Sequence, residues 1–318
     1  MGATLSRLEA QTLAPAGAAC AHQRAHGRVE GAAARSSVAE AAGAVPPPVL
    51  VLFSIVSIQV GAALAVKLFP ALGPAGTVFL RIGFSALLLL GFSRPTVRGI
   101  GMRRAGLLMA YGLLIGGMNL CFYEAIARVP LGVAVTIEFT GPLVVAIANS
   151  RRLLDLGWIA LAAAGLLIMT PDIGAALDPL GVGLALMAGA GWGGFVLLSR
   201  RVGHAFRRGD GLALGMVVAA LALLPLFFMG GAAARLDPLL ALGGLAVALL
   251  ATAIPFSLEF AALKRLPPRT YGVLVTLEPA VATLIGIALL GEALGARSVA
   301  AVVCVSAAAL GMTLTTGS

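Results

Sequence analysis

The sequence predicts an all-α integral membrane protein in which ten transmembrane helices form two inverted five-helix repeats. Three observations predict this fold: an apolar composition, ten apolar segments, and basic residues that alternate in phase with those segments. Of the 318 residues, 60% are hydrophobic and 11% are charged, whereas about a quarter of the residues in a soluble domain are charged. The net charge of +9 comes from short Arg and Lys clusters between apolar segments. These clusters indicate membrane orientation rather than nucleic-acid binding.

Ten apolar segments are candidates for membrane spans, because a helix needs about 20 mostly apolar residues to cross roughly 30 Å of hydrocarbon. The fifth is short. The segments are approximately 49–67, 75–92, 105–126, 130–149, 156–170, 180–199, 211–229, 238–262, 270–290 and 296–315. Residues 1–45 are rich in Ala, mix Arg with Glu and show no helical stripe, so we expect a disordered tail. The two repeats are then expected at 46–172 and 173–318.

The basic residues of the short loops predict the orientation. Loops after spans 2, 4, 6 and 8 hold thirteen Arg and Lys residues, whereas Arg128, Arg235 and Arg297 are the three assigned to the alternate loops. Basic loops stay in the cytoplasm. The loop charges therefore predict a multi-pass membrane protein with both termini in the cytoplasm.

Two segments of the chain resemble each other. Residues 125–155 align without a gap on residues 262–292, so that Pro130 meets Pro267 and Asp155 meets Glu292. Each repeat contains five spans, which is an odd number, so the second copy enters the membrane from the opposite side. Chance similarity between two apolar segments is the alternative, but the matched prolines and the charge alternation favour a duplication. Inverted repeats are typical of secondary transporters, which bind substrate near the midplane.

Two glutamates lie inside these aligned segments. Glu138 and Glu278 are each about eight residues from the start of their span, or roughly 12 Å deep at 1.5 Å per residue. A charge at this depth is costly, so it usually faces a cavity or a partner and marks a substrate or ion route. Burial favours the neutral form of a carboxyl group, which would let either acid take up and release a proton. The alternative is a glutamate that only bonds a neighbouring helix.

Prolines follow both acids. Pro142 cannot donate to the carbonyl of residue 138, and Pro279 likewise frees the carbonyl of Val275. Thr140 and Gly141 would offer a hydroxyl and room for a ligand. Membrane helices also use proline simply as a kink, so the prolines support the site only together with the acids.

Arg81 is the expected counter-charge for a substrate carboxylate or for Glu138. Lys67, at the end of its span, needs only to reach the membrane surface. Other side chains are candidates for binding an amino or hydroxyl group of a substrate or for forming an apolar wall. Packing is at least as good an explanation for each. They are Gln59, Asn119, Tyr123 and Trp192.

Two further glutamates are ambiguous. Glu259 is about five residues from Lys264 and is either a second proton-carrying acid or a residue that extends to the membrane surface. Glu124 is four residues before Arg128, and an ion pair along one helix is the expected role.

Several motifs carry a family resemblance over residues 49–315. They are SIQVGAALAVKLFP (57–70), GGMN (116–119), VPLGVAVTIEFTGPLVVAI (129–147), LPPRTYG (266–272), LEPA (277–280) and LGE (290–292). With these motifs the chain resembles the drug/metabolite transporter superfamily of EamA-type ten-span carriers, and within it the branch of bacterial threonine/homoserine exporters. The resemblance implies proton-coupled export of small amino acids such as threonine and homoserine by a protein of the bacterial inner membrane. Export of another hydrophilic metabolite or drug, or uptake of a metabolite, is the alternative.

Other classes of membrane protein fit less well. The three histidines are in the tail and in a loop, so an intramembrane histidine base or metal cluster is not expected. The repeated filter motifs of channels are absent from the sequence. We therefore expect a transporter rather than an enzyme, with no cofactor, metal or nucleic acid. Its expected partners are a small amino acid, protons and the lipid bilayer, with a monomer as the simplest state.

Overall fold

The computed structural model describes residues 45–93, 100–141, 177–206, 210–263, 274–293 and 295–316, with isolated residues between these ranges. The regular elements of this part of the chain are helices. They are α1 (Pro47–Ser93), α2 (Met102–Ile126), α3 (Leu131–Glu138), α4 (Pro179–Ala205), α5 (Asp210–Met229), α6 (Ala232–Arg235), α7 (Pro238–Ala248), α8 (Ile254–Leu263), α9 (Glu278–Ile285) and α10 (Ala296–Thr316). Two π-helical segments follow α7 and α9, at Leu249–Ala253 and Gly286–Leu290.

Helix α1 contains the first two predicted spans. Its 47 residues would extend roughly 70 Å at 1.5 Å per residue, more than twice the hydrocarbon thickness. The helix is interrupted at Gly73, whose φ of 69° lies in the left-handed region that favours glycine. Pro74 follows and cannot donate a helical hydrogen bond. The break therefore falls where the sequence predicts the loop between spans 1 and 2.

Five helices of the described part are long and apolar enough to cross a membrane: Pro47–Ser93, Met102–Ile126, Pro179–Ala205, Asp210–Met229 and Pro238–Phe256. The count differs from ten for identifiable reasons. Predicted spans 1 and 2 share one helix, the fifth is described only at scattered residues, and the described parts of spans 4, 9 and 10 contain only shorter apolar helices. The total of ten and the inverted arrangement stay predictions.

Glycines bring the long helices close together. A Cβ atom added at Gly116 of α2 would lie 3.5 Å from the Ala219 backbone of α5. One added at Gly191 of α4 would lie 2.6 Å from Met118 of α2. The glycines of GLLIG (112–116) and GAGWG (189–193) therefore serve helix packing, since small residues let membrane helices approach closely.

Helix α3 is fixed at both ends. At its start, the Leu131 backbone N–H donates to both carboxylate oxygens of Glu292, at 2.9 and 3.0 Å. At its end, a Cβ atom added at Gly189 of α4 would lie 2.6 Å from the Glu138 carbonyl oxygen. Helix α9 packs on α3 as well, where Gly132 leaves room for Thr283. The first acid is thus held on rigidly packed backbone.

Two arginines tie helix ends together. Arg128 binds Glu124, which confirms the expected pair along α2, and its Nε lies 3.7 Å from Asp178, the residue before α4. Arg265 donates from Nη1 to the Val45 carbonyl, 3.1 Å away, just ahead of α1. In the alignment of the two segments, Arg128 falls on Arg265. The two contacts are therefore made by aligned residues of the two similar segments.

The contact at Gly189 can be tested by Gly189→Ala. The added methyl would overlap the Glu138 carbonyl, and overpacking of this kind costs about 1 to 3 kcal/mol. We expect a lower thermal midpoint for the purified protein in detergent. Gly117→Ala is the control, because a Cβ atom there meets nothing within 4 Å. Equal stability of the two variants would contradict the close approach of α3 and α4.

Candidate functional site

A polar cavity of about 140 Å³ lies between helices α1, α2, α3, α4, the first π-helical segment and α9. Its apolar lining residues are Ile58, Ala62, Met118, Phe122, Val135, Trp192 and Ala251. Its polar and charged lining residues are Gln59, Arg81, Asn119, Glu138 and Glu278. The predicted acids, arginine and amides therefore come together, although they are far apart in the chain.

Both acids lie at helix breaks. Helix α3 ends at Glu138, and α9 begins at Glu278, after a turn at Thr276 and Leu277. Pro279 is thus at the second position of a helix, where its missing N–H costs nothing, rather than in a kink. The two carboxylates repel each other electrostatically, and Glu138 is attracted to Arg81. Broken helices with ionisable groups at a cavity are a feature of transporter sites.

Arg81 is held in place by neutral acceptors. Its Nη1 donates to Asn119 Oδ1 at 3.0 Å and to the Tyr123 hydroxyl at 3.4 Å, and its Nη2 donates to the Ala251 carbonyl at 3.3 Å. The guanidinium also lies 5.5 Å from the centre of the Tyr123 ring, a favourable cation–π distance. Because these partners carry no charge, they orient Arg81 without neutralising it.

Gln59 links helix α1 to Glu278 at the start of α9. Its Nε2 donates to Glu278 Oε1 at 3.1 Å. Its Oε1 is buried and has no hydrogen-bond partner in the part of the chain that the structure describes. Buried acceptors are almost always paired in folded proteins, so an unpaired one at a cavity indicates a place for a donor from a bound molecule.

Aromatic residues limit the cavity on one side. Trp192 lines it and stands edge-on to Phe139, with ring centres 5.5 Å apart. Phe122 and Met118 extend the wall from α2. The expected apolar wall is therefore present, and α2 supplies more of it than the sequence suggested.

Other predicted residues lie beside the cavity rather than on it. Tyr123 is completely buried and supports Arg81 from behind. Thr140 donates to the Ile137 carbonyl of its own chain segment at 2.6 Å, and Gly141 packs against the backbone of Gly189. Pro142 lies outside the described residues. Thr140 and Gly141 thus have packing contacts that account for them.

The first π-helical segment is the part of the site that the sequence did not indicate. Leu249–Ala253 brings the Ala251 carbonyl within reach of Arg81. Gly61 of α1 allows the approach, because a Cβ atom there would lie 2.9 Å from Ala251. No proline or charge marks this stretch, and π-helical turns are known to occur at functional sites.

Glu259 is not among the residues lining the cavity. It accepts hydrogen bonds from Ser54 at 2.7 Å and from the Tyr271 hydroxyl at 3.1 Å. The alternative of a glutamate that simply extends to the membrane surface does not explain these two bonds. Lys67, by contrast, is exposed, as expected for a residue at a helix end.

A bundle of apolar helices around a cavity with paired acids, an arginine and amides defines a membrane transport protein rather than an enzyme. The chain belongs to the EamA-like transporter family, whose model matches residues 179–314. It is 42% identical over 272 residues to the threonine/homoserine exporter RhtA of Escherichia coli K12, covering 85% of this chain and 92% of that protein. It is 41% identical over the same length to RhtA of Salmonella typhimurium LT2.

A solved crystal structure has a similar fold. It covers 84% of this chain and 97% of its own, with a TM-score of 0.50 and 17% sequence identity. At that identity the similarity concerns the fold alone. Together with the apolar helices, the bacterial relatives indicate a multi-pass protein of the inner membrane.

The support of Arg81 can be tested by Arg81→Met. The variant leaves Asn119 and the Ala251 carbonyl without their donor, and an unsatisfied buried group costs about 1 to 3 kcal/mol. We expect a lower thermal midpoint in detergent. Arg128→Met is the control, because its partly exposed ion pair is worth about 1 kcal/mol or less. A smaller decrease of the thermal midpoint in Arg81→Met than in Arg128→Met would contradict the hydrogen-bond network around Arg81.

Proposed function

We propose that this protein is a proton-coupled exporter of small amino acids such as threonine and homoserine. The observation that supports this most is the combination in one small cavity of one arginine, two glutamates and an unpaired amide oxygen. The names of the RhtA relatives, which are 42% and 41% identical to this chain over 272 residues, support the same substrates.

Each polar group has a matching part of the substrate. An amino acid carries a carboxylate, which pairs best with a guanidinium, here Arg81. Its ammonium group pairs with Glu138 or Glu278. The hydroxyl of threonine or homoserine donates to Gln59 Oε1, the buried acceptor that has no hydrogen-bond partner among the described residues. Recognition by a buried polar partner also excludes analogues that lack the hydroxyl, because they would leave the partner unsatisfied.

The volume of the cavity supports a small substrate. Pockets for drug-sized ligands measure roughly 300 to 1,000 Å³, whereas this cavity measures about 140 Å³. A larger cavity of about 310 Å³ is lined by apolar residues such as Phe79, Leu87 and Leu221. It offers no charged group for a zwitterion, so it does not suit an amino acid.

Protons and the ammonium group of the substrate compete for the same carboxylates, and this competition couples transport to the proton gradient. A proton and an ammonium group both bind a carboxylate, and each excludes the other from the same oxygen atoms. With Glu138 and Glu278 ionised and Arg81 positive, the three groups sum to one negative charge, which attracts an ammonium group. Protonation of one glutamate removes that charge and favours release. Entry of protons from outside therefore drives the amino acid outward, provided that the cavity opens to each side in turn.

Glu138→Gln and Glu278→Gln test the coupling. Each variant keeps a similar shape but cannot ionise, and losing a hydrogen bond to a charged group costs about 1.5 to 3 kcal/mol. That corresponds to about 10- to 100-fold weaker substrate binding. The measurement is efflux of radiolabelled threonine and homoserine from proteoliposomes, with and without an inward proton gradient. We expect the stimulation by the gradient to fall in both variants.

Glu124→Gln is the matched control, because this glutamate pairs with Arg128 away from the cavity. If the proton gradient stimulates efflux fully in both Glu138→Gln and Glu278→Gln, the two acids have no part in coupling. Retention of both amino acids by liposomes containing the unmodified protein, together with release of another metabolite, would refute the proposed substrates. Accumulation of the labelled amino acids inside the liposomes under the inward proton gradient would refute export.

A further inference from the structure

Glu259 has hydrogen-bond partners on two other predicted spans. It lies on α8, where Ser54 of α1 donates to its Oε1 and Tyr271, at the start of predicted span 9, donates to its Oε2. Ser54 is fully buried, and Glu259 itself is partly buried. Both carboxylate oxygens are therefore held, and the side chain bridges three segments at one end of the molecule.

The three acids form a series along the molecule. Glu278 interacts electrostatically with Glu259, and Glu138 with Glu278. Ser54, which binds Glu259, is five residues before the cavity residue Gln59 on α1, or roughly 8 Å along a helix axis that rises 1.5 Å per residue. Glu259 is thus displaced from the cavity toward the end where span 8 finishes, which the loop charges predict to be cytoplasmic.

The partners of Glu259 suit both of its protonation states. A hydroxyl group can donate and accept. When Glu259 is ionised, Ser54 and Tyr271 donate to it. When it is protonated, its own O–H can donate to Ser54 Oγ, whose hydrogen then turns to the Pro255 carbonyl, 3.5 Å away. A proton can therefore be gained and lost without leaving a buried polar group unsatisfied.

The surroundings at this end are apolar. Leu50, Val51 and Ile55 of α1 form a buried cluster with Ala262 of α8, and Tyr271 packs against it. Such a cluster hinders the passage of water and hydrated ions. The groups that face Glu259 are Ser54 from α1 and Tyr271 and Glu278 from predicted span 9. Among these described residues, Glu278 and Glu259 are the two acids, and Glu259 acts electrostatically on Glu278.

We propose that Glu259 is the residue through which protons leave the cavity for the cytoplasm. This inference rests on the proposed proton coupling. An O–H bond breaks at Glu278 and one forms at Glu259; Glu259 then releases the proton to cytoplasmic water. Glu278 is left ionised and ready for the next amino acid, and Glu259 is left ionised between its two hydroxyl donors. The net result is one proton moved inward, with no other reactant.

Glu259→Gln tests this role in proteoliposomes. Two rates are measured on each variant: efflux of threonine driven by an inward proton gradient, and exchange of labelled for unlabelled threonine at equal pH. Exchange needs no net proton movement. We expect the ratio of driven efflux to exchange to fall about tenfold or more, since a lost proton-transfer group typically costs at least that much in rate. Glu124→Gln is the control that should keep the ratio.

A purely structural role predicts a different result. If Glu259 only joins the three segments, Glu259→Gln should lower both rates equally and reduce the thermal midpoint, and this outcome would overturn the proposal. Tyr271→Phe provides a second, milder variant that keeps the carboxyl group and loses one donor. We expect it to shift the pH dependence of driven efflux; an unchanged profile would count against the proposal.

A substrate-independent measurement separates this inference from the proposed function. Infrared difference spectra of the purified full chain, recorded between acidic and alkaline buffer, report protonated carboxyl groups through their C=O band. A band component that disappears in Glu259→Gln but persists in Glu124→Gln supports reversible protonation of Glu259, even if threonine proves not to be transported. Identical spectra for Glu259→Gln and the unmodified protein would refute it.

Discussion

The cost of placing charge inside a membrane governs this structure. Moving an acid or a base to the centre of a bilayer is unfavourable by several kcal/mol unless it meets a partner or water. Here Arg81, Glu138 and Glu278 share one cavity, and Arg81 is attracted to Glu138 while neutral groups hold it in place. The surrounding helices are arranged so that these three groups face each other rather than the lipid. An arrangement so costly is retained where it has a function.

Close helix packing makes the shared cavity possible. Gly61 lets α1 approach the π-helical turn that carries Ala251, and Gly189 lets α4 approach the end of α3 at Glu138. Side chains at these positions would separate the helices and widen the cavity. The many glycines of this chain therefore help to define the dimensions of the site, even though they contribute no functional group.

The sequence predicted the chemistry of the site better than its geometry. Charged residues in apolar segments are rare, so the positions of Arg81, Glu138 and Glu278 in the sequence mark them as candidates, and all three line one cavity. Ala251 could not, because its role depends on a backbone carbonyl displaced by a π-helical turn, which leaves no mark on residue type. Gly141 looked like a binding residue, but its contact is with Gly189, a partner that only the packing of the helices reveals. The helix breaks likewise follow from tertiary contacts as well as from proline.

The contacts of Arg128 at the end of α2 bear on solution conditions. Arg128 pairs with Glu124 and lies near Asp178, and the three side chains are partly exposed. Dissolved salt weakens attraction between exposed charges, with a screening length of about 8 Å at physiological ionic strength. A rise in ionic strength therefore loosens the electrostatic link between the end of α2 and the start of α4.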